Sequence, residues 1–359
     1  MTNPIDYKLP DEAATEIPDV VPRIGFISFQ PVLKHNIWGG SRIRRFKGLE
    51  ETGMPFSEPV GESWEISHLK ADVSVVDSGH LAGKNLDELI AAYGERLLGR
   101  AVMQRFGSTF PLLIKLIDAE DDLSIQVHPD DEMAGKRHNS WGKTEMWYAI
   151  EADDKASLFS GFYKKKLSKK VVQSLLSGEG LQSTVADIMK RYAVKAGDVF
   201  FLPAGRVHAI GKGCFMAEIQ QTSNVTYRIF DYDRRDSNGE KRPLHVEQAR
   251  EAIKMEANLP AYRLYGYARP ANAPIPLARC QYFTTNLLRL ERTWTGPAQR
   301  PDSFIIYMCI SGKVSMLGDG AGIELRQGQT VLVPAEMPQV TIVPENKATL
   351  LEIYCGDFY

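Results

Sequence analysis

The chain has 359 residues, of which 43% are hydrophobic and 25% charged, and its formal net charge is -2 at pH 7. This length exceeds that of a typical single domain, so we expect a large core divided between two lobes. The balanced charge gives no basic field for nucleic acid and no polybasic surface for anionic lipid. No stretch approaches the ~18 consecutive apolar residues needed to cross a bilayer. The composition therefore argues against nucleic-acid and membrane partners.

The N-terminus and the cysteines indicate the compartment. The first residues are polar and acidic without an apolar core segment, which is not typical of a signal peptide. The four cysteines are widely spaced and form no CxxC pair, so we expect free thiols and no disulfide framework. Both features predict a cytoplasmic protein.

The predicted elements begin with a loosely attached arm at residues 1–26, which is rich in proline and acidic side chains. Strand-like runs then dominate, each followed closely by Pro, Gly, Asp or Asn. In chain order, the clearest runs are 111–117, 123–128, 145–150 and 197–203.

Three segments interrupt these strands with helical spacing. Residues 85–99 predict an amphipathic helix ending at a glycine, and 164–192 predict two short helices joined at Gly178 and Gly180. Residues 244–256 predict a further amphipathic helix. Helices inserted into a β-rich chain favour elaborated barrels or sandwiches over a doubly wound parallel sheet.

The last part of the chain returns to short strands, separated by SGK, GDG and QGQ turns at the spacing of a small antiparallel barrel. We therefore predict a mostly β protein with an arm at 1–26, a first domain at 27–260 that carries the helical insertions, and a second domain at 261–359.

A candidate metal ligand set begins in LSIQVHPDDE, residues 123–132. Alternate residues of a strand share a face, so Ser124, Gln126 and His128 would project together, and Pro129 would end the strand. A structural histidine beside a solvated acidic turn is an equal alternative for this segment alone.

Two further segments supply similar groups. Glu145 heads the apolar strand of GKTEMWYAI, and His208 follows the turn in GDVFFLPAGRVHAIGKG. Taken singly, these would be a solvated acid and a structural histidine. Together, two imidazoles, a carboxylate and an amide oxygen suit a borderline-soft divalent ion such as zinc, with a position left open for catalysis.

These motifs resemble the two halves of a cupin metal motif, in the form found in the type I mannose-6-phosphate isomerases, or phosphomannose isomerases. The segments PVLKHNIWGG, VGESWEISHLK, GKTEMWY and QQTSNVTYRIFDYDRRD continue the resemblance in the same order, over roughly residues 27–255. The resemblance implies two cupin-like, jelly-roll β-barrels, the second without metal.

Transferred position by position, the resemblance implies roles for individual residues. The implied metal ligands are Gln126, His128, Glu145 and His208. Arg228 matches the family's active-site arginine, and the implied lining of the sugar-phosphate pocket is Ser124, Lys115 and Lys143, bordered by Trp38 and Asn224. Asn224 stands where many members carry Asp. If that acid helps to transfer protons in the relatives, Asn224 contributes less to proton transfer here, or another group performs it.

The implied reaction interconverts mannose 6-phosphate and fructose 6-phosphate by proton transfer through an enediol(ate), with one Zn²⁺ per chain stabilising the developing negative charge. Lys143 could carry the proton or pair with the phosphate. Arg228 suits either the phosphate or the enediolate, with the reacting end favoured. The partner is then a small sugar phosphate, and nothing in the sequence specifies an oligomer.

Two other functions fit part of the pattern. A cupin-type iron dioxygenase needs two histidines and one acid with open positions, and oxygen uptake would identify it. A catalytically inactive sugar-phosphate-binding cupin would keep the pocket without turnover. The complete presumed ligand set together with Arg228 favours the isomerase over both.

Overall fold

The structure is a computed structural model, and it describes residues 23–49, 59–163, 168–177, 185–235, 238–258, 263–264, 270–296 and 302–355. Most of the predicted arm, residues 1–22, lies outside the described residues, as do Gly178 and Gly180.

Strands make up most of the regular structure, which confirms the mostly β prediction. All four strand-like runs of the sequence contain strands in the structure. In chain order the strands are β1 Ile27–Ser28, β2 Val32–Lys34, β3 Glu62–Ile66, β4 His68–Leu69, β5 Asp72–Val73, β6 Leu112–Ala119, β7 Ile125–Val127, β8 Glu145–Ala152, β9 Ser157–Phe162, β10 Met189–Ala193, β11 Val199–Leu202, β12 His208–Ile210, β13 Cys214–Gln221, β14 Tyr227–Phe230, β15 Arg263–Leu264, β16 Pro274–Arg279, β17 Phe283–Leu290, β18 Trp294–Thr295, β19 Ile305–Ser311, β20 Lys313–Gly318, β21 Ala321–Arg326, β22 Thr330–Val333, β23 Thr341–Pro344 and β24 Ala348–Cys355.

The helices are short and lie between strands. They are α1 Arg42–Phe46, α2 Leu86–Tyr93, α3 Glu95–Leu98, α4 Arg100–Phe106, α5 Asp131–His138, α6 Lys169–Ser177, α7 Val185–Ile188 and α8 Val246–Ala252, followed by a 3-10 turn at Glu256–Asn258. Among the described residues, no helix has the length and apolar character that a membrane crossing requires.

Two helix predictions need correction. The helix predicted at 85–99 is divided, because Gly94 has a φ of 47° and ends α2 before α3 begins. The end of the segment predicted as helical at 164–192 is the strand β10, in which Met189 and Tyr192 are buried against β9 at the edge of a sheet. Burial against β9 outweighs the helical spacing of the sequence there.

Besides the small two-stranded sheet β4-β5, the first part of the chain forms two large antiparallel sheets. One has seven strands in the order β15-β11-β8-β13-β6-β3-β2, and the other has five in the order β10-β9-β12-β7-β14. Apolar side chains from both sheets, including Trp147, Phe200, Leu158 and Ile210, form the core between them. This sandwich carries the candidate site.

The last part of the chain, together with β1 from its beginning, repeats the arrangement with a six-stranded sheet, β1-β22-β19-β24-β17-β16, and a four-stranded sheet, β18-β23-β20-β21. In neither part do the described strands close into a continuous barrel, so the predicted barrels are realised as sandwiches. The predicted domain boundary at 260/261 stays a prediction.

The two sandwiches pack back to back. The largest apolar cluster joins the outer face of the seven-stranded sheet, including Ile114 and Phe215, to Phe283, Ile306 and Ile353 of the six-stranded sheet. Burial of so much apolar surface on both faces fixes the seven-stranded sheet rigidly, which suits a sheet that presents functional groups.

Candidate active site

The predicted metal ligands come together between the two sheets of the first sandwich. The Nε2 of His128 lies 3.5 Å from Oε2 of Glu145, and the Nε2 of His208 lies 3.2 Å from its Oε1. The side-chain Nε2 of Gln126 lies 3.5 Å from His208 Nε2. The four candidate ligands therefore surround one small volume, although they come from three separate segments of the chain, at β7, β8 and β12.

The strand register explains how Gln126 reaches this cluster. In the five-stranded sheet, His208 of β12 and Arg228 of β14 both lie opposite Gln126 of β7, one on each side. Directly opposed residues on antiparallel strands project to the same face. The three side chains therefore form a row across the sheet, which places Arg228 next to the candidate ligands.

The two histidines are oriented for metal binding. The Nδ1 of His128 lies 3.0 Å from the carbonyl oxygen of Val225, and the Nδ1 of His208 lies 2.9 Å from that of Arg206. Since a carbonyl only accepts, each Nδ1 carries the proton and donates it, which leaves the Nε2 lone pair facing Glu145. This is the tautomer that a metal-bound histidine needs.

Burial sets the charges of the cluster. Burial, reinforced by the ammonium of Lys143, lowers the pKa of His208 to about 3 and also lowers that of His128, so both rings are neutral near pH 7. Burial raises the pKa of Glu145 to about 7 although Lys143 opposes the shift. The cluster thus offers neutral imidazoles and a carboxylate that needs a cation.

The donor set fits a divalent metal on this geometry alone. Both oxygens of Glu145 are completely buried and accept no hydrogen bond among the described residues, although Lys143 lies 3.0 Å from Oε2. A buried carboxylate without hydrogen bonds is costly unless a cation lies against it. The side chains of His128, Glu145 and His208 have the spacing of a metal-binding group.

A cavity of about 400 Å³ opens above the cluster, large enough for a sugar phosphate. Gln126 and Lys143 lie on its wall. The other residues predicted to contact substrate also line it: Lys115, Ser124, Asn224, Arg228 and Trp38. The structure brings all the candidate residues to one place, while their individual roles stay predictions.

The sequence reasoning missed the residues that hold Lys115. Its Nζ lies 3.2 Å from Glu218 and 3.4 Å from Glu62, and all three groups line the cavity. Burial alone would lower the pKa of Lys115, but the two carboxylates outweigh it and raise that pKa. The signal for Glu218 was present, because it is the one acidic residue in the otherwise uncharged run CFMAEIQQ.

Glu218 also fixes the aromatic wall of the cavity. The indole Nε1 of Trp147 donates to Glu218 Oε2 at 2.8 Å, and the ring of Trp147 lies edge-on to His208 with centroids 5.3 Å apart. Burial would raise the pKa of Glu218, but Lys115 and Lys143 lower it to about 2. Glu218 is therefore an ionised carboxylate that supports both Lys115 and the neighbourhood of a candidate ligand.

Sequence comparisons agree with this site. Residues 26–157 match the family model for the phosphomannose isomerase type I catalytic domain, and residues 276–352 match that for the mannose-6-phosphate isomerase cupin domain. The second match confirms the cupin-like character of the last part of the chain. Both descriptions name the family identified from the motifs.

Relatives extend the agreement over most of the chain. A probable mannose-6-phosphate isomerase of Bacillus subtilis is 34% identical over 318 residues, which cover 87% of this chain and 94% of the relative. A mannose-6-phosphate isomerase of Streptococcus mutans is 39% identical over 259 residues, covering 72% of this chain and 73% of that protein.

The solved structures show the same fold. The crystal structure of the mannose 6-phosphate isomerase from Bacillus subtilis has a TM-score of 0.78 and 31% identity, covering 92% of this chain and 99% of the other. An apo mannose 6-phosphate isomerase from Salmonella typhimurium, at 16% identity and a TM-score of 0.71, covers 93% of this chain and 100% of its own, and it shows the shared fold alone. Because relatives from Bacillus subtilis and Streptococcus mutans are 34% and 39% identical over most of both chains, the protein belongs to the type I phosphomannose isomerase family.

Proposed function

We propose that this chain interconverts mannose 6-phosphate and fructose 6-phosphate in the cavity above His128, Glu145 and His208. The observation that carries the proposal is the buried group of two imidazoles and one carboxylate, with Gln126 beside it, beneath a cavity of about 400 Å³ that is lined by cationic side chains. Family membership and the names of the relatives support the choice of substrate.

We assign one Zn²⁺ per chain to Gln126, His128, Glu145 and His208, because nitrogen and oxygen donors without thiolate are usual for catalytic zinc. When bound, the ion supplies a Lewis acid that stabilises negative charge developing on the sugar oxygens. Gln126 contributes its amide oxygen, which a half-turn of the side-chain amide directs at the cluster. The amide is partly exposed to the cavity, unlike the three buried ligands.

Lys143 is the residue that we propose moves the proton between C1 and C2. Its Nζ lies 3.0 Å from Glu145 Oε2 and 3.2 Å from His128 Nε2, so it is held at the reacting end of the cavity. Lys115 is a poorer candidate, because two carboxylates raise its pKa and keep it protonated. Lys115 instead acts as a fixed positive charge and hydrogen-bond donor on the cavity wall.

Arg228 supports the same end of the substrate. It lies opposite Gln126 in the sheet, and its Nε is buried without a hydrogen-bond partner among the described residues. A guanidinium that is already oriented and desolvated stabilises an oxyanion without having to reorganise. We therefore place Arg228 beside the oxygen that becomes negative during proton transfer.

The enzyme is assigned to the cytoplasm, because its four cysteines are free thiols and three of them are buried. The second sandwich is assigned a packing role, because Gln339 stands roughly where a cupin ligand histidine would be and is exposed.

The test is an isotope-exchange assay in heavy water with mannose 6-phosphate, followed by NMR. The proposal expects fructose 6-phosphate to form and deuterium to appear at the carbon that gains the proton, with no oxygen uptake. Chelator treatment should abolish conversion and added zinc should restore it. A protein that binds the sugar phosphate without exchange or conversion would be an inactive binder, and oxygen consumption would indicate the dioxygenase.

A further inference from the structure

The positive charge of the cavity is distributed unevenly. Five cationic side chains line it: Lys34, Lys115, Lys143, Arg228 and Arg242. Each lysine has a carboxylate within 3.5 Å, namely Asp72 at 2.5 Å for Lys34, Glu218 at 3.2 Å for Lys115 and Glu145 at 3.0 Å for Lys143. The lysine charges are therefore largely neutralised, and the uncompensated charge lies on the wall that carries the two arginines.

That wall has a single buried carboxylate for several guanidinium groups. Asp231 is buried and accepts from Arg242 and from Arg234, whose Nη2 lies 2.6 Å from its Oδ1. Arg228 has no carboxylate partner among the described residues; its Nη1 donates to the carbonyl oxygen of Pro243 at 3.0 Å. Asp121 lies 4.0 Å from Arg234 and is well exposed, so water screens its charge.

Arg242 is held in one orientation. Its Nε donates to Asp231 Oδ2 at 2.7 Å and its Nη2 to Oδ1 at 2.5 Å, which is the two-point contact that a planar guanidinium favours. Its Nη1 has no hydrogen-bond partner in the part of the chain that the structure describes, and the residue lines the cavity. The guanidinium is thus fixed at its Nε–Nη2 edge by Asp231, and its Nη1 can donate hydrogen bonds to a ligand in the cavity.

The segment after Arg242 is fastened to Arg228. The backbone N–H of Arg228 donates to His245 Nδ1 at 3.2 Å, and the backbone N–H of His245 donates to the carbonyl of Arg228 at 2.7 Å. The two arginines therefore keep a constant relation, one beside the candidate ligands and one further along the wall. Burial, followed by the charge of Arg242, lowers the pKa of Arg228, so an anion between or beside them would relieve their repulsion.

We propose that Arg242, oriented by Asp231, contacts the phosphate of the substrate and so determines specificity for a phosphorylated sugar. This inference rests on the proposed function. A phosphate monoester carries about -1.5 to -2 charges at pH 7, opposite in sign to the charge of this wall, where Arg234 and Arg242 share the carboxylate of Asp231 and Arg228 has none. Arg228 stays at the reacting end and contributes to the field, while Arg242 makes the direct contact.

The experiment compares Arg242→Ala and Arg242→Lys with the wild-type holoenzyme. Calorimetric titration with inorganic phosphate measures the affinity of the proposed phosphate subsite at Arg242 by itself. Kinetics with mannose 6-phosphate measure kcat and KM. We expect Arg242→Ala to weaken phosphate binding and raise KM by about 10- to 100-fold, the range for a lost hydrogen bond to a charged group, with kcat changed much less. The phosphate affinity and KM of Arg242→Lys should lie between those of the wild type and Arg242→Ala. Lysine keeps the positive charge but lacks the planar guanidinium that Asp231 orients.

Arg235→Ala is the matched control, since Arg235 is an exposed arginine of the same loop that does not line the cavity, and it should behave as wild type. The inference is overturned if the wild type binds no phosphate, or if a folded Arg242 variant keeps the wild-type phosphate Kd and KM. A wild type that binds phosphate through Arg242 but converts no mannose 6-phosphate would overturn the proposed function and leave the subsite standing. Should Arg242→Ala fail to fold, Arg242→Lys supplies the same comparison.

Discussion

His208 lies directly opposite Gln126 in the antiparallel pairing of β12 with β7, and the two side chains approach to 3.5 Å between their Nε2 atoms. The candidate ligand set is therefore built by strand register as much as by residue type. A slip of β7 by one residue in this pairing would turn the Gln126 side chain to the opposite face of the sheet. The apolar cluster on the other face of the five-stranded sheet opposes such a slip, since Ile125 and Val127 of β7 are buried in it and would be turned out of it.

Replacement of a candidate ligand should remove metal and activity together. We expect His208→Ala and Gln126→Ala to lower zinc content and to reduce isomerase activity by more than about 100-fold for His208, since even residues that only support metal ligands are worth 10- to 100-fold. Elemental analysis and kinetics on the same preparation provide the measurement. His80→Ala, which removes an exposed histidine, is the control. Full metal content in His208→Ala would contradict the ligand assignment.

Metal uptake by the metal-free protein should depend on pH through Glu145 alone. The pKa of this carboxyl is raised to about 7, so below pH 7 it must lose its proton before it can bind a cation. Burial lowers the pKa of His128 and lowers that of His208 to about 3, so neither ring has a proton to release when the ion binds. We expect the affinity of the metal-free protein for zinc to fall about tenfold for each pH unit below 7 and to be constant above pH 7.

Competition with a chelator of known affinity, measured between pH 5 and 8, tests this dependence. Calorimetry in buffers of different ionisation enthalpy should show close to one proton released per ion at pH 6. A steeper fall, corresponding to two or three protons, would mean that the histidines titrate near their ordinary pKa and are not neutralised by burial. The measurement thus separates the carboxylate from the imidazoles.

Removal of the buried charge of Lys115 should destabilise the protein strongly. Lys115→Met leaves the buried carboxylate of Glu218 and the partly exposed carboxylate of Glu62 without their shared cation, and breaking such a group typically costs about 3–5 kcal/mol. Lys34→Met is the comparison, because Lys34 and Asp72 are both partly exposed and such pairs are worth about 0–1 kcal/mol. Urea unfolding of both variants gives the free energies. Equal and small losses would show that Lys115 is not a structural charge.

Close packing at Gly99 should make it intolerant of a side chain. Its φ is 92°, and an added Cβ would lie 2.4 Å from the carbonyl oxygen of Asp302 in the last part of the chain. Gly107 also has a positive φ, of 60°, but no atom lies within 4 Å of its Cβ position. Gly107→Ala should therefore cost only backbone strain, about 1–3 kcal/mol, and Gly99→Ala about 1–3 kcal/mol more from overpacking. Thermal and urea unfolding would show the difference, and equal costs would refute the packing explanation.

The strands and the ligand spacing could be predicted from the sequence because they depend on local pattern. Alternation in LSIQVH predicts that Gln126, in β7, and His128, which directly follows β7, project to one side, and the apolar run after Glu145 predicts β8. These features need only the period of a strand and the ligand chemistry of the side chains.

Other elements depend on contacts that no local pattern contains. Helix α5 has one buried side chain, Ala134, and is begun by Asp130, which accepts from the backbone N–H of Met133. Without an apolar stripe it gives no periodic signal. Strand β10 has helical spacing but pairs with β9. The grouping of Arg242 with Asp231 likewise requires the loop after β14 to turn back on itself.

Strand β1 has a consequence for the order in which the molecule is made. Ile27 and Ser28 pair with Leu332 and Val331, so the first described strand completes a sheet whose other members come from the end of the chain. During synthesis, at about 5–20 residues per second, β1 must wait for almost the whole polypeptide to emerge before it finds its partner. Since β1 has only two residues, it offers little open backbone for wrong pairing during that wait, whereas the longer β22 emerges when its partner is already present.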